Sequence, residues 1–194
     1  MKIRITLTEE MLGTKAANPE VFSAYIASKK PDGDPAKDEL ARAENIEENG
    51  TTVFHKDPDG AAGVYDYQIK GFFKDACGAL RKVPDTASAG LKAYKTVIDG
   101  LIFPAPRFIR MVIPEGKSLG VCERPLRAET AQGPRVSVCR SETAPVGTIF
   151  EFDLEVLQKA LFVPIREWLN YGRLRGLGQW RNSGKGRFTW EELT

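Results

Sequence analysis

Residues 148–156 constrain the fold of this chain more than any other stretch. Phe150, Phe152, Leu154 and Val156 alternate strictly with Glu151, Asp153 and Glu155. A period of two puts the apolar side chains on one face of a strand and the charges on the other. Such a strand fits a sheet with one face on a core and one in water, the habit of antiparallel sheets. The opening segment repeats the pattern: Ile3, Ile5 and Leu7 alternate with Arg4, Thr6 and Thr8, and Met11, Leu12 and Gly13 close it.

Shorter strands are expected at 51–55 and 64–69, joined as a hairpin by the turn Asp57-Pro58-Asp59-Gly60. Others are expected at 101–103, 108–113 and 135–139. The clearest helix spans 70–83, where Phe73, Ala76, Cys77, Leu80 and Val83 recur at helical spacing. Cys77 thus has a place in the core. A last helix opens at Pro164, carries Ile165, Trp168 and Leu169 on one face, and is expected to stop at Gly172. Two helices are expected near the N-terminus. One starts at Asn18-Pro19-Glu20, and a charged, peripheral one covers 36–48 and stops at Asn49-Gly50. Strands and helices are mixed along the chain, and no linker or repeat divides it. The reading is one α+β domain over 1–194 with a helical insertion at 15–50.

With 194 residues the chain can bury a core without disulfides or metals. Its 28 basic and 26 acidic residues give a net charge of +2, which excludes histone-like and acidic disordered classes. The single histidine, His55, excludes sites that need two, and no pair of cysteines among Cys77, Cys122 and Cys139 is spaced as a zinc or redox motif. Neither metal nor cofactor is expected. The N-terminus has no apolar leader, and no run of about 18 apolar residues offers a membrane span. The expected place is a reducing cytoplasm, bacterial or that of an infected host cell.

The charge is unevenly spread. Residues 1–97 hold 14 basic and 15 acidic residues, and residues 98–194 hold 14 and 11. Between Arg166 and Trp190 six cations face only Glu167. In that stretch Gly172, Gly176, Gly178, Gly184 and Gly186 crowd into fifteen positions. Glycines let backbone approach a ligand, and interleaved Arg and Lys add charge-assisted bonds to phosphate. The spacing is neither a Walker loop nor a dinucleotide fingerprint. Trp180, Phe188 and Trp190 interleave with the cations, and aromatics beside phosphate contacts can stack bases; Phe188 is assigned to the core.

The run Gly176-x-Gly178-x-x-Arg181-x-Ser183-Gly184-x-Gly186-Arg187-Phe188 resembles the C-terminal glycine-rich loop of the RAMP superfamily, the ferredoxin-like RNA-binding proteins of CRISPR effector complexes. Three other parts agree in order. Ile3 to Gly13 resembles the first RAMP strand and its apolar-glycine step. Tyr67-Gln68-Ile69-Lys70-Gly71 with Ala79-Leu80-Arg81 resembles the entry to the first RAMP helix, although the usual preceding glycine is absent. Arg140 to Phe150 resembles the turn into the penultimate strand. The resemblance implies a ferredoxin-like (RRM-like) antiparallel sheet with helices on one face. It also implies that residues 117–135 project as a thumb-like loop.

The function expected from this resemblance is binding of single-stranded RNA, with ssDNA as the alternative, without catalysis. The binding set is Lys70, Arg127, Arg140, Arg173, Arg175, Gly176, Gly178, Arg181, Ser183, Gly184, Lys185, Gly186 and Arg187. Arg107, Arg110, Arg124 and Arg135 extend the basic series. One alternative is a phage-encoded interaction, decoy or nucleic-acid-metabolism protein that assembles with itself or with effector subunits. The other is a metal-independent endoribonuclease, for which His55 is the weak catalytic candidate. Asp32, Asp34, Asp57 and Asp59 are explained by turn chemistry.

Overall fold

A computed structural model describes residues 1–17, 51–130 and 133–193, with side chains of 126–130 and 133–137 left aside. Both expected N-terminal helices lie outside the described residues.

The order of elements follows the alternation of period-two and helical patterns. Strand β1 (Lys2–Leu7) leads through β2 (Met11–Leu12) to β3 (Lys15–Ala16), so the segment expected to open the helical insertion begins as strand. Then come β4 (Thr51–Val53), β5 (His55–Lys56), β6 (Ala62–Tyr65), α1 (Asp66–Leu80) and α2 (Tyr94–Leu101). Next follow β7 (Ile102–Ala105), β8 (Phe108–Val112), β9 (Gly120–Thr130), β10 (Gly133–Ala144) and β11 (Ile149–Val156). The chain ends with α3 (Phe162–Arg175) and β12 (Phe188–Leu193).

The main sheet runs β12-β1-β11-β8-β6-β5, and β7 also pairs with β11. Every pairing in it is antiparallel. With α1 after β1, and α3 between β11 and β12, the four central strands have the order 4-1-3-2 of a ferredoxin-like fold. Ile3, Ile5 and Leu7 of β1 and Phe150, Phe152 and Leu154 of β11 are buried, joined by Phe73 of α1 and Ile165, Trp168 and Leu169 of α3. Each such large side chain contributes about 1.5–3 kcal/mol by leaving water. On the open face Arg4 sits opposite Glu151 of β11 and Glu191 of β12, at 2.7 and 2.9 Å. The strict alternation at 149–156 is therefore a core face backed by a cross-strand charge ladder.

Several expectations change. The strand expected over 64–69 stops at Tyr65, because the Gln68 side chain accepts the Tyr65 amide (2.8 Å) and starts a helix there. The helix ends at Leu80, leaving Val83 exposed beyond it. Gly172 does not stop α3. A Cβ there would lie 2.0 Å from the Phe188 ring, so this glycine admits the ring beneath the helix, and the helix ends at Gly176. Residues 117–135 are not a bare loop: β9 and β10 form a long antiparallel hairpin from Gly120↔Thr143 to Thr130↔Gly133. It belongs to a second sheet, β2-β10-β4-β3, with β9 beside β10. Helix α2 was not foreseen; it buries only Ile98 and starts from Ala93 with φ 46° and no side-chain cap.

The β5–β6 hairpin keeps the expected turn but is shorter than expected: His55↔Gly63 and Lys56↔Ala62 pair across it, while Thr51–Val53 joins the second sheet. Asp57 Oδ1 accepts the amides of Asp59 and Ala61, the local bonding that makes Asp a turn residue. The 84–90 loop is pinned to α3: Glu167 accepts the amides of Ala87 and Ser88 and the Ser88 hydroxyl, and Trp168 Nε1 donates to Ser88 Oγ. Among the described residues no helix is long and apolar enough to cross a membrane.

Candidate nucleic-acid interface

The glycine-rich loop fills the gap between the end of α3 and the start of β12. It is a fixed structure rather than an open string. Leu177 N donates to Gly186 O, Gly186 N to Glu10 O, and Thr8 N and Glu9 N both to Arg187 O. These bonds press the loop onto the turn after β1. Gly186 has φ +72°, and a Cβ on it would stand 1.9 Å from Leu177 O. Only glycine allows the two backbone runs to meet there. Gly176, Gly178 and Gly184 form the other bends, all with positive φ.

This frame gathers cations from separate elements. Arg175, at the end of α3, holds Asp75 of α1 at 2.8 Å, and Arg181 holds the same carboxylate at 3.0 Å. Lys185 holds Glu10 at 2.8 Å. These bonds push the Arg175 and Lys185 pKa values above their ordinary ones. Arg173 and Arg187 are exposed, and no carboxylate pairs with either among the described residues. Ser183 is also exposed at the loop's tip, in a short 3-10 turn that closes on Gly184.

Arg124 of β9 joins the loop from the second sheet. It is 6% exposed, donates to Ser141 Oγ (3.2 Å) and Gln179 Oε1 (3.1 Å), and lies 5.0 Å from the centre of the Trp180 ring. Ser141 in turn bonds Thr52 Oγ1 at 2.8 Å. Gln179, Arg124, Ser141 and Thr52 make one polar path from the glycine loop across β9 and β10 to β4. Arg124 was legible only as one arginine in a basic series; its burial and its partners come from strand pairing between distant segments. The Trp180 indole, 42% exposed beside this guanidinium, is the outermost aromatic of the loop. Phe188 is fully buried, and Trp190 Nε1 donates to Asn170.

The remaining expected residues lie elsewhere. Lys70 donates to Asp99 O (3.0 Å) and sits 4.5 Å from the Phe103 ring, on the side of α1 that faces α2. Arg140 of β10 pairs with Glu123 of β9 at 2.7 Å. Arg127 stands opposite Val136 in the hairpin, and its side chain, like that of Arg135, is outside the described set. Arg110 is held by Asp57 and Asp59 in the β5–β6 turn. His55 lies 3.5 Å from Tyr67 Oη, and burial, with Lys15 nearby, lowers its pKa.

A groove of about 430 Å³ borders the loop, lined by Lys74, Lys82, Lys95, Tyr94 and Tyr171, with Asp75 and Arg175 at its edge. Four cations thus stand on the loop frame — Arg175, Arg181, Lys185 and Arg187 — against the two carboxylates Asp75 and Glu10, with the buried Arg124 packed behind. Such a surface can hold a chain of phosphates and offers an indole for stacking.

No family model matches the sequence, and no curated protein does. Among solved structures the chain is similar to one in the cryo-EM structure of the Type III-B Cmr-beta bound to cognate target RNA. The TM-score is 0.51 and the identity 14%; the match covers all of this chain and 58% of the other. The chain therefore spans a little over half the length of that structural relative. At this identity the likeness concerns the fold.

Proposed function

We propose that this chain is a RAMP-like protein that binds single-stranded RNA through the C-terminal glycine-framed loop. The observation that carries the reading is that Arg175, Arg181, Lys185 and Arg187 stand on one hydrogen-bonded glycine frame that also carries the exposed Trp180, itself packed on the buried Arg124. Phosphates would bind first at Arg187 and Arg173. Arg175, Arg181 and Lys185 would exchange their partly exposed carboxylate partners for phosphate, since such ion pairs are worth only about 0–1 kcal/mol. The fold shared with a chain of an RNA-bound Cmr-beta supports the same class of ligand and a place beside effector subunits. Filter binding of labelled single strands at low salt tests this. The wild type retains RNA, and the triple variant Arg181→Ala/Lys185→Ala/Arg187→Ala loses it while keeping its unfolding transition. No retention of any single strand by the wild type ends the proposal.

A second reading is RNA cleavage. Its support is the pairing of His55, with its lowered pKa, with the Tyr67 hydroxyl, which places a neutral imidazole beside a proton donor. Hairpin RNA incubated with wild type and His55→Ala decides it. Cleavage by the wild type alone supports it, and intact RNA in both removes it.

A further inference from the structure

The open face of the main sheet carries an aromatic cluster at the edge away from the glycine loop. In β8, Ile109 and Met111 point to the core, so Phe108 and Arg110 point to the open face. Tyr65 is the cross-strand partner of Phe108, and their rings meet edge to face at 5.2 Å. Gly63 keeps room for this: a Cβ there would lie 2.7 Å from the Phe108 ring. His55, opposite Gly63 on β5, packs edge-on against Tyr65 at 4.9 Å. Tyr67, in the first turn of α1, stacks on Tyr65 with centroids 5.5 Å apart and planes inclined by 13°.

The stack is unfinished. Tyr65 is supported by Phe108, His55 and Tyr67, whereas Tyr67 is the end of the pile and is 54% exposed. An amphipathic ring held flat by a ring beneath it, half-exposed and with its hydroxyl 3.5 Å from His55, is not explained by core packing. Cations and carboxylates are mixed around it, and two of the cations, Arg107 and Lys15, pair with no carboxylate among the described residues. Arg107 is exposed, Lys15 is exposed beside His55, and Lys56 is half-exposed at 3.7 Å from Glu142. Asp66 is engaged with the Tyr67 amide, and Asp57 and Asp59 with Arg110.

We infer that the Tyr65–Tyr67 stack is a base-stacking platform for single-stranded nucleic acid, with Arg107 and Lys15 placed for the adjoining phosphates. An aromatic end-face accepts any base, and flanking cations supply the backbone contacts that a protein or lipid occupant does not need. The inference rests on the proposed RNA-binding function. It adds a second contact point, at the β5–β6 edge of the main sheet, apart from the glycine loop at the β12 side.

The test compares wild type, Tyr67→Ala, Tyr67→Phe and the triple loop variant. The probes are a labelled uridine oligomer and an abasic strand of equal length. Tyr67→Ala weakens binding of the uridine oligomer roughly tenfold, the effect of losing one stacked base. Tyr67→Phe binds within about twofold of wild type, because the ring is what stacks. The abasic strand binds wild type and Tyr67→Ala alike. Three results overturn the platform: an unchanged uridine affinity in Tyr67→Ala, an equal loss in Tyr67→Phe, or an equal loss for the abasic strand. If wild type binds the oligomer and only the loop variant fails, the loop reading stands and the platform falls. If wild type binds neither probe at low salt, both fall.

Discussion

At the scale of single residues, the loop depends on glycine for shape and on carboxylates for restraint. Gly186 combines φ +72° with a Cβ position 1.9 Å from a backbone oxygen, which cannot move aside as a side chain could. Gly186→Ala is therefore expected to cost about 2–3 kcal/mol in urea unfolding, more than an ordinary surface change. It also loses RNA binding, since the clash opens the Leu177–Gly186 bond that closes the loop. Asp75 acts in the opposite sense. Its carboxylate occupies both Arg175 and Arg181 at 2.8 and 3.0 Å, and its side chain is about a third exposed. Asp75→Asn gives up roughly 0–1 kcal/mol of stability. It releases two guanidinium groups toward phosphate, so RNA affinity at low salt rises several-fold. Filter binding beside a urea titration reads both effects; a fall in affinity with the fold intact counts against the loop as the phosphate site.

At the scale of elements, the β5–β6 hairpin carries the chain's only histidine in a site that disfavours its charge. Burial lowers the His55 pKa, and Lys15 lowers it further. The unfolded chain therefore binds a proton at higher pH than the folded one. Above the ordinary value near ~6.5 neither form is protonated and the histidine contributes no slope. As pH falls from there toward the lowered folded value, the unfolded state gains the proton first and stability declines. Urea midpoints measured from about pH 7 down to about pH 5 are expected to fall more steeply for wild type than for His55→Gln. Equal slopes in the two proteins overturn this account of the hairpin.

The hairpin also shows what could be read without coordinates. Asp57-Pro58-Asp59-Gly60 names its own turn, and the alternation at 149–156 names its own buried face, because both signals are local. The helix over 66–80 was legible as a stripe, but its start depends on one side chain, Gln68, turning back to Tyr65. Gly172 was misread as a stop because its reason is a ring from residue 188. Residues 117–135 are read as a projecting loop because β9 is arginine-rich and lacks strict alternation, whereas the strand expected at 135–139 lies within β10. For the same reason the expected site was half assembled. The loop residues meet, whereas Lys70 and Arg140 turn to partners of their own, and Arg124 arrives through a sheet that no local pattern announces.

At the scale of the whole molecule, the net charge of +2 conceals an uneven field. Residues 98–194 carry an excess of basic residues, and the sequence before them a slight acidic excess. The ferredoxin-like sheet brings the C-terminal cations to one edge of the fold, beside the turn after β1. Binding that rests on this cluster must be dominated by release of counterions from the nucleic acid. With about four phosphates neutralised by Arg173, Arg181, Lys185 and Arg187, the logarithm of the binding constant falls against that of salt with a slope near −3. Affinity then drops on the order of 50-fold between about 50 and 200 mM monovalent salt. The single variant Arg187→Ala removes one of these cations, keeps measurable binding, and is expected to flatten the slope by about 0.7. Tyr67→Ala weakens binding without flattening it, because a stacked ring displaces no counterion. Salt titrations of the three proteins separate the two contact points on one axis each: slope for the loop, offset for the platform. A wild-type slope near zero would mean that the strand is held by groups other than these four side chains, whatever its affinity.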